Sequence, residues 1–555
     1  MKTLLFALAL MCSVTPQHGD WEASIPVLCN VSSLEELSEE DLEHFRHLNS
    51  NPLDINHCRS QKLKSSRLLS NYQAASLVDY VRSTGEIRSL TELSLVDGFS
   101  QEFVSLISPF IEITAYDAPG ERKNRYVKQE IRARTDFKGY AGKYSLDSGN
   151  TASVHLGLKS GDAPTFGIDA SFGNWAACLG DFNFRFGQGL TAWSGMTMSG
   201  ASAANLERNP SGTSIGTGYS RGSRPRGAAL NYDKGGLSAT ICYGTGDMAV
   251  ANCTYLWNSG QAGATSLYCG DNLVTGMDFK QKAGHADLFG ETALLLPGKI
   301  PALLVGAQWQ PEYLKKRSIV LRYYPAAYNN PYSGAIRTYS KCSDELGLSA
   351  ATSSKTLTGT VDACYRPQRQ TKSLKSIIDY KPNIKTNKLT IIPQLRATIR
   401  YRPEDIFQFH TDLRGDLSLS TEHLSADARI QATICKSSGL LGYIQAGYKN
   451  AGLSAEARYT IYNIKHWEDR IYVWQRGLPG TFNVPAFYGK GMGFSLWCAY
   501  KKALYLRASY DICSRDELKS NWVFQLEYVK HFFHSYSAGT FHKNDSTSKR
   551  IFRKE

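Results

Sequence analysis

The sequence predicts a mainly β protein: a large antiparallel transmembrane barrel of roughly 16–24 strands, preceded by a small all-α helix-hairpin-helix domain. Three observations lead there. From about Tyr126 the chain alternates apolar and polar residues with a period of two, in about 20 segments of roughly 8–12 residues. The 555 residues include 31 Tyr, 23 Phe and 47 Gly, a composition that suits short strands, tight turns and aromatic girdles. Beyond the N-terminus no stretch stays apolar for about 18 residues, which excludes a helical membrane protein.

Lys2, the apolar run Leu4 to Met11 and the small and polar residues through Gly19 read as a secretory signal peptide over residues 1–19, too short to span a bilayer. Cys12 raises the question of lipidation, but Met11 stands where a small residue is usual. Cleavage near residues 16–20 is the expectation.

Residues 20–50 form an acidic helical linker. Leu34, Leu37, Leu42 and Phe45 recur at helical spacing, Ser32 or Ser33 is the candidate cap, and Glu35, Glu36, Glu39, Glu40, Asp41 and Glu43 make the segment strongly negative. Residues 51–115 read as a second helical unit. Asn56 is a candidate cap for a helix that turns Leu63 inward, and Leu68-Leu69-Ser70 is a turn. Ala74, Leu77, Val78 and Val81 stripe the next helix, which Gly85 ends in a left-handed cap. Ser89 caps a short helix through Leu93, Val96-Asp97-Gly98-Phe99 is a tight turn, and Phe103, Leu106 and Ile107 belong to a last helix before Pro109.

This order resembles the tandem helix-hairpin-helix module of the ComEA-type competence DNA receptors. The matching residues are Leu53-Asp54-Ile55-Asn56, Ala74, Leu77, Val78, Tyr80, Gly85, Ser89-Leu90, Glu92-Leu93, Val96, Gly98-Phe99 and Pro109-Phe110-Ile111. The resemblance implies phosphate contact at the hairpins, through Leu69, Ser70 and Asn71 in the first and Val96, Gly98 and Phe99 in the second. The residues themselves pull the other way. The first hairpin has no glycine, and Asp97 puts a carboxylate beside the second. Arg59, Lys62, Lys64, Arg67, Arg82 and Arg88 are outnumbered by Asp54, Asp79, Glu86, Glu92, Asp97, Glu102 and Glu112. Non-specific affinity for DNA comes mainly from neutralising phosphates, so a near-neutral unit behind an acidic helix reads better as a docking module or a plug.

Residues 126–530 make the barrel. Leu395, Ala397, Ile399 and Tyr401 share one face of their strand, with Arg396 and Arg400 on the other; Leu453 to Tyr462, Leu504 to Asp511 and Trp522 to Val529 alternate likewise. Turns such as Asp233-Lys234-Gly235-Gly236 and Lys449-Asn450-Ala451-Gly452 separate strands, and Tyr323-Tyr324, Tyr401 and Tyr500 suit interfacial girdles. Residues 191–225, 325–345 and 366–388 read as irregular, the last strongly basic. Residues 531–555 form a polar, basic tail after Val529. Gly180-Asp181-Phe182-Asn183-Phe184-Arg185-Phe186-Gly187-Gln188-Gly189-Leu190 is a strand running into a glycine-rich turn, and Val484 to Gly491 is a turn. Both motifs resemble segments of an outer-membrane family that carries a helix-hairpin-helix module before a barrel. That resemblance implies architecture and location, and no activity.

A net charge of +13 suits either nucleic acid or anionic lipid. The letters GxSxG occur at Gly212–Gly216 and Gly218–Gly222, inside the irregular glycine- and serine-rich stretch and not at a strand-to-helix elbow, and no HExxH or GxxxxGK[ST] motif occurs. Glu468-Asp469-Arg470 beside His466 reads as a solvated turn, so no enzyme is expected. Of the 12 Cys, Cys253 with Cys269 and Cys342 with Cys364 lie close enough to staple a hairpin or loop. No metal or cofactor is expected. The functional expectation is a non-enzymatic outer-membrane protein of transport or envelope organisation, with its N-terminal domain in the periplasm. Its partners are membrane lipid and, through the helical domain, DNA or a periplasmic protein. The rivals are a DNA-uptake receptor and a soluble secreted β protein.

Overall fold

The computed structural model describes residues 21–536 apart from 30–33, 115–124, 137, 149–150, 196, 198–199, 202–205, 313–314, 387–389, 406 and 515–517. The signal peptide, its cleavage site, the candidate caps Ser32 and Ser33, and the tail beyond Tyr536 lie outside the described residues.

The wall is one closed antiparallel barrel of 24 strands. The first, Arg125–Asp136, pairs with the last, Leu518–Tyr536, so that Arg125 faces Tyr536 and Asp136 faces Gln525. The closing strand therefore runs past Val529 and takes up the start of the expected tail. Every wall strand carries at least one exposed large apolar side chain, while Glu130, Arg322, Asp362 and Glu527 on the inward positions are buried. Trp522 is 72% exposed and Glu527, odd in register with it, is 0% exposed. Apolar outside and charged inside is the alternation of a lipid-facing wall; a soluble β protein would place its charges on the water side. No helix among the described residues is long and apolar enough to cross a membrane.

Short turns join the strands at the end where the chain enters and leaves the wall, such as 234–237, 257–260 and 450–453. The long segments, 186–225, 325–344 and 465–488, lie at the opposite end and fold into the lumen: Leu190, Ala192, Tyr328 and Ile336 are buried with wall residues such as Val274 and Phe289, and Ile471 and Val473 with Leu441 and Tyr462. Residues 366–388 are not one loop, since Thr371–Tyr380 at their centre is a wall strand. Its short-period alternation is masked in sequence because Lys372 stands on the outward face with Leu374 and Ile378, and Ile377 on the inward face with Lys375 and Asp379. Asp469 is not solvated either. It is 0% exposed, and its carboxylate accepts the backbone N–H groups of Cys435, Lys436 and Ser437. Tyr323 faces out as expected, but Tyr324 faces in and donates to the carbonyl of Ile336. The four thiols expected to pair are free. The strand register puts Cys253 opposite Ala264 and Cys269 opposite Met248, too far along the ladder for one bridge.

The N-terminal residues 21–113 form helices around one apolar core. Glu39–Ser50 is capped by Ser38, whose hydroxyl accepts from the Asp41 N–H. Then come Ser60–Ser65, Asn71–Thr84, Leu90–Leu93 and Gln101–Ile107. Ser70, Ser89 and Ser100 cap the last three. Asn56 caps no helix; its side chain accepts from the Ile87 N–H and donates to the carbonyls of Ile87 and Thr114, tying the two ends of the unit together. Gly85 has φ 107° and ψ −172°, an extended glycine conformation and not a left-handed cap. Leu42, Phe45 and Leu48 share a core with Leu63, Leu77, Phe103 and Phe110, so no boundary falls at residue 50. Val78 is the misfit of the expected stripe, being 36% exposed.

Candidate functional site

The helical unit stands inside the barrel. The hairpin helices sit at the rim where the chain enters the wall. There Lys62 pairs with Asp147 at 3.2 Å, Lys64 with Asp233 at 2.7 Å, and Arg59 donates to the Gly173 carbonyl. The acidic helix reaches deepest. Glu40 accepts from Asn183 at 2.7 Å and from Arg185 at 3.3 Å. Glu43 binds Arg46 at 2.6 Å and Lys143 of the wall, and Arg46 reaches Glu130 at 3.3 Å. On another arc Glu35 pairs with Arg429 at 2.8 Å and Arg414 at 3.4 Å. Glu22 pairs with Arg476, of the inward segment 465–488, at 2.7 Å.

Burial raises the carboxyl of Glu39, and alone it would raise Glu35, Asp41 and Glu43 too, yet for these three the facing cations outweigh it. Arg414 and Arg429 hold Glu35 well below the usual carboxylate range, and Arg46 and Lys143 do the same for Glu43. Asp41, beside Arg67 and Arg185, is held down at about 2. Burial first, and Arg67 second, push the His44 imidazole down to about 3. It is therefore neutral, with Nε2 2.8 Å from the Ser66 carbonyl oxygen.

The interface is ionic in kind. The apolar core of the helical unit contains residues of that unit alone, and the lumen and inward segments have separate clusters. Ion pairs withdrawn from water contribute little net stability, but losing one partner is costly. Such an interface fixes position more than it adds adhesion.

Two further devices narrow the lumen. Glu291 is clasped by the glycine-rich turn singled out in the sequence: the N–H groups of Gln188, Leu190 and Thr191 donate to its carboxylate at 2.6, 2.9 and 2.7 Å. Gly187 has φ +55°, and a Cβ there would lie 2.8 Å from the Glu291 Oε2, so this turn demands glycine. Arg322 is buried and donates to Glu345 at 2.6 Å, Thr338 at 2.7 Å and Asp362 at 2.8 Å, pinning the segment 325–344 inward. A vestibule of about 1490 Å³ remains between the hairpin helices and the wall, lined among others by Arg59, Tyr72, Arg82, Trp175 and Trp257.

The expected hairpin residues are brought together, facing the wall and one another. Leu69 is buried and its carbonyl accepts from Asn209 at 3.5 Å. Ser70 caps its helix, and Asn71 donates to Gln261 of the wall at 3.2 Å. Val96 and Phe99 are in the core. The Gly98 carbonyl accepts from Gln73 at 2.8 Å, and Tyr72 donates to Asp97, covering the second hairpin. The cations nearby are matched by carboxylates, Lys64 by Asp233 and Arg82 by Asp79. Sequence reasoning missed Glu35, Glu40 and Glu43 as wall contacts and Glu22 as a contact of the inward segment. The signal was present in the charge: an acidic helix inside a chain of net charge +13 calls for cations to face it. Among the described residues, no group of three His, Cys, Asp or Glu side chains is placed to hold a metal.

No model of a known family matches the chain, and no curated protein does. Among solved structures it is similar to OccAB4 of Acinetobacter baumannii, at 7% identity and TM-score 0.29 over 75% of this chain and 100% of that one. It is similar to OprD of Pseudomonas aeruginosa at 7% identity and TM-score 0.31, covering 76% and 97%. The copper transporter OprC is similar at 9% identity and TM-score 0.35, covering 75% and 82%. Likeness at this level transfers nothing to this chain, whose own wall and lumen carry the reading below.

Proposed function

We propose that this chain is a non-enzymatic transport protein of the outer membrane, with its helical domain as a displaceable plug entering from the periplasmic end. One observation carries the reading: the domain closes its apolar core on itself, and its acidic side chains bond several arcs of the lumen wall. A unit that keeps its own core can leave without unfolding, and charges that pair with the wall can pair with water instead. The fold resembling a helix-hairpin-helix module serves here as a scaffold, with its hairpins spent on contacts to the rim and to each other.

Planar bilayers test this. The full chain is expected to pass little current, and a variant lacking residues 21–113 to conduct as a wide pore. Glu43→Gln, which keeps the domain but weakens its hold, is expected to flicker between the two levels. A full chain that conducts like the deletion variant would overturn the plug reading, as would a Glu43→Gln variant as silent as the full chain. Salt-sensitive retention of double-stranded DNA by the full chain, lost in Gly98→Asp, would replace solute transport by nucleic-acid uptake.

A further inference from the structure

A second cavity, of about 250 Å³, lies in the half of the lumen away from the chain termini, where wall, plug and inward segment meet. Lys375, Arg396, Arg400 and Arg414 line it, with His410, Gln431 and Tyr472; the carboxylates on it are Glu35 and Asp412. Strand register arranges these cations in a lattice. Arg400 stands opposite Lys375 on one side and His410 on the other, and Arg396 stands opposite Arg414. Like charges directly opposite on neighbouring strands are destabilising, and here two such pairs lie a few residues apart. Counter-ions surround the lattice: Asp405 lies 3.7 Å from Arg400, Asp416 binds Arg414, and Glu35 bridges Arg414 and Arg429. Within the cavity the cations still outnumber the carboxylates. The Nδ1 of His410 and the Oε1 of Gln431 are buried without a hydrogen-bond partner, so the cavity is polar and holds unused bonding capacity.

We propose that this cavity binds a small oxyanion, carboxylate or phosphate in chemistry, and that Glu35 of the plug is its resident competitor. Guanidinium forks match both oxyanions in geometry, and the volume suits a small solute. Because Glu35 already places one carboxylate on Arg414 and Arg429, an arriving anion takes over the cations that hold this arc of the plug. The site then reports solute to the plug; this gating role rests on the plug reading, whereas the binding does not.

The test is titration calorimetry of the full chain in detergent at low ionic strength, with inorganic phosphate, succinate and glucose as probes. Phosphate or succinate is expected to bind and glucose not to; whichever binds more tightly identifies the source. Arg396→Gln with Arg400→Gln is expected to weaken binding by about tenfold or more. Glu35→Gln is expected to tighten it, and Lys449→Gln, exposed at the end of the strand Ser438–Asn450, to leave it unchanged. If the double variant does not hold a β-barrel spectrum, Lys375→Gln replaces it, with the same direction expected. Absence of anion binding, or binding indifferent to these arginines and to Glu35, would overturn the site. A conducting deletion variant beside a chain that binds no anion removes the site and leaves the plug; anion binding beside a silent deletion variant does the reverse.

Discussion

The wall and the plug obey opposite rules. The wall puts its apolar side chains outside, with Met277 70% and Ile430 68% exposed, and its charges inside. The plug buries Phe45, Leu77 and Phe110 at 0% exposure and turns its charges outward. Each is built for the medium it faces: lipid around the wall, a wet polar lumen around the plug. Where the two meet, charge meets charge. Inversion of this kind lets one chain hold two apolar layers of opposite sense, joined by a surface of paired charges.

The largest blow to this contrast is one that strikes the plug alone. Phe45→Ala removes a ring stacked edge-on to Phe110 at 5.5 Å and is expected to cost the domain about 3–5 kcal/mol. Hydrogen exchange should rise across its helices while the wall strands stay protected; equal loosening of both would mean that the bodies are not separable. Striking the wall alone comes next. Met277→Arg sets a charge on the lipid face of the strand Asn272–Ala283 and is expected to cost about 2–4 kcal/mol, read as a lower unfolding midpoint in lipid vesicles. In a soluble protein the same exposed position would tolerate arginine.

The smallest expected effect is that of pH on the plug. His44 is held neutral, with its pKa lowered to about 3 from an ordinary 6.5. A lowered histidine contributes stability that is complete above about pH 6.5 and is lost as the pH falls, because only the unfolded domain takes up the proton. At pH 5 that loss is about 2 kcal/mol. The carboxylates add their own loss only below about pH 4, since Asp41 is held near 2 and Glu35 and Glu43 are also lowered. Exchange at the Glu39–Ser50 amides, corrected for intrinsic rate, should quicken between pH 7 and 5, and His44→Gln should weaken that dependence, with His47 of the same helix, lowered by burial first and by Arg46 second, keeping the rest.

The wall was legible because its period is two and its turns are rich in glycine. Leu453, Tyr459 and Ile461 face out and Arg458 faces in, as their alternation states. The plug's helices were legible from apolar spacing, and one of them from its Ser89 cap; the caps Ser38, Ser70 and Ser100 were not. What local pattern does not carry is meeting across hundreds of residues. Nothing near Glu35 names Arg414 or Arg429, and nothing near Glu291 names the turn that clasps it. Asp469 looked solvated because its three N–H donors lie on another turn, at Cys435 to Ser437. The thiol pairs failed for a related reason: nearness in sequence is not register across a ladder.

The seam of the barrel gives these contacts a further meaning. Arg132, on the first strand, donates to Glu130 at 2.9 Å and to Glu527 of the last strand at 2.7 Å, and Glu130 in turn meets Arg46 of the plug. The ring thus closes on a row of charge that is complete only with the plug in place. If the domain is the displaceable plug proposed above, its seating and the sealing of the seam are linked equilibria: whatever factor one adds to the other is returned in equal measure. A pull that draws the domain out therefore also loosens the join between the first strand and the last.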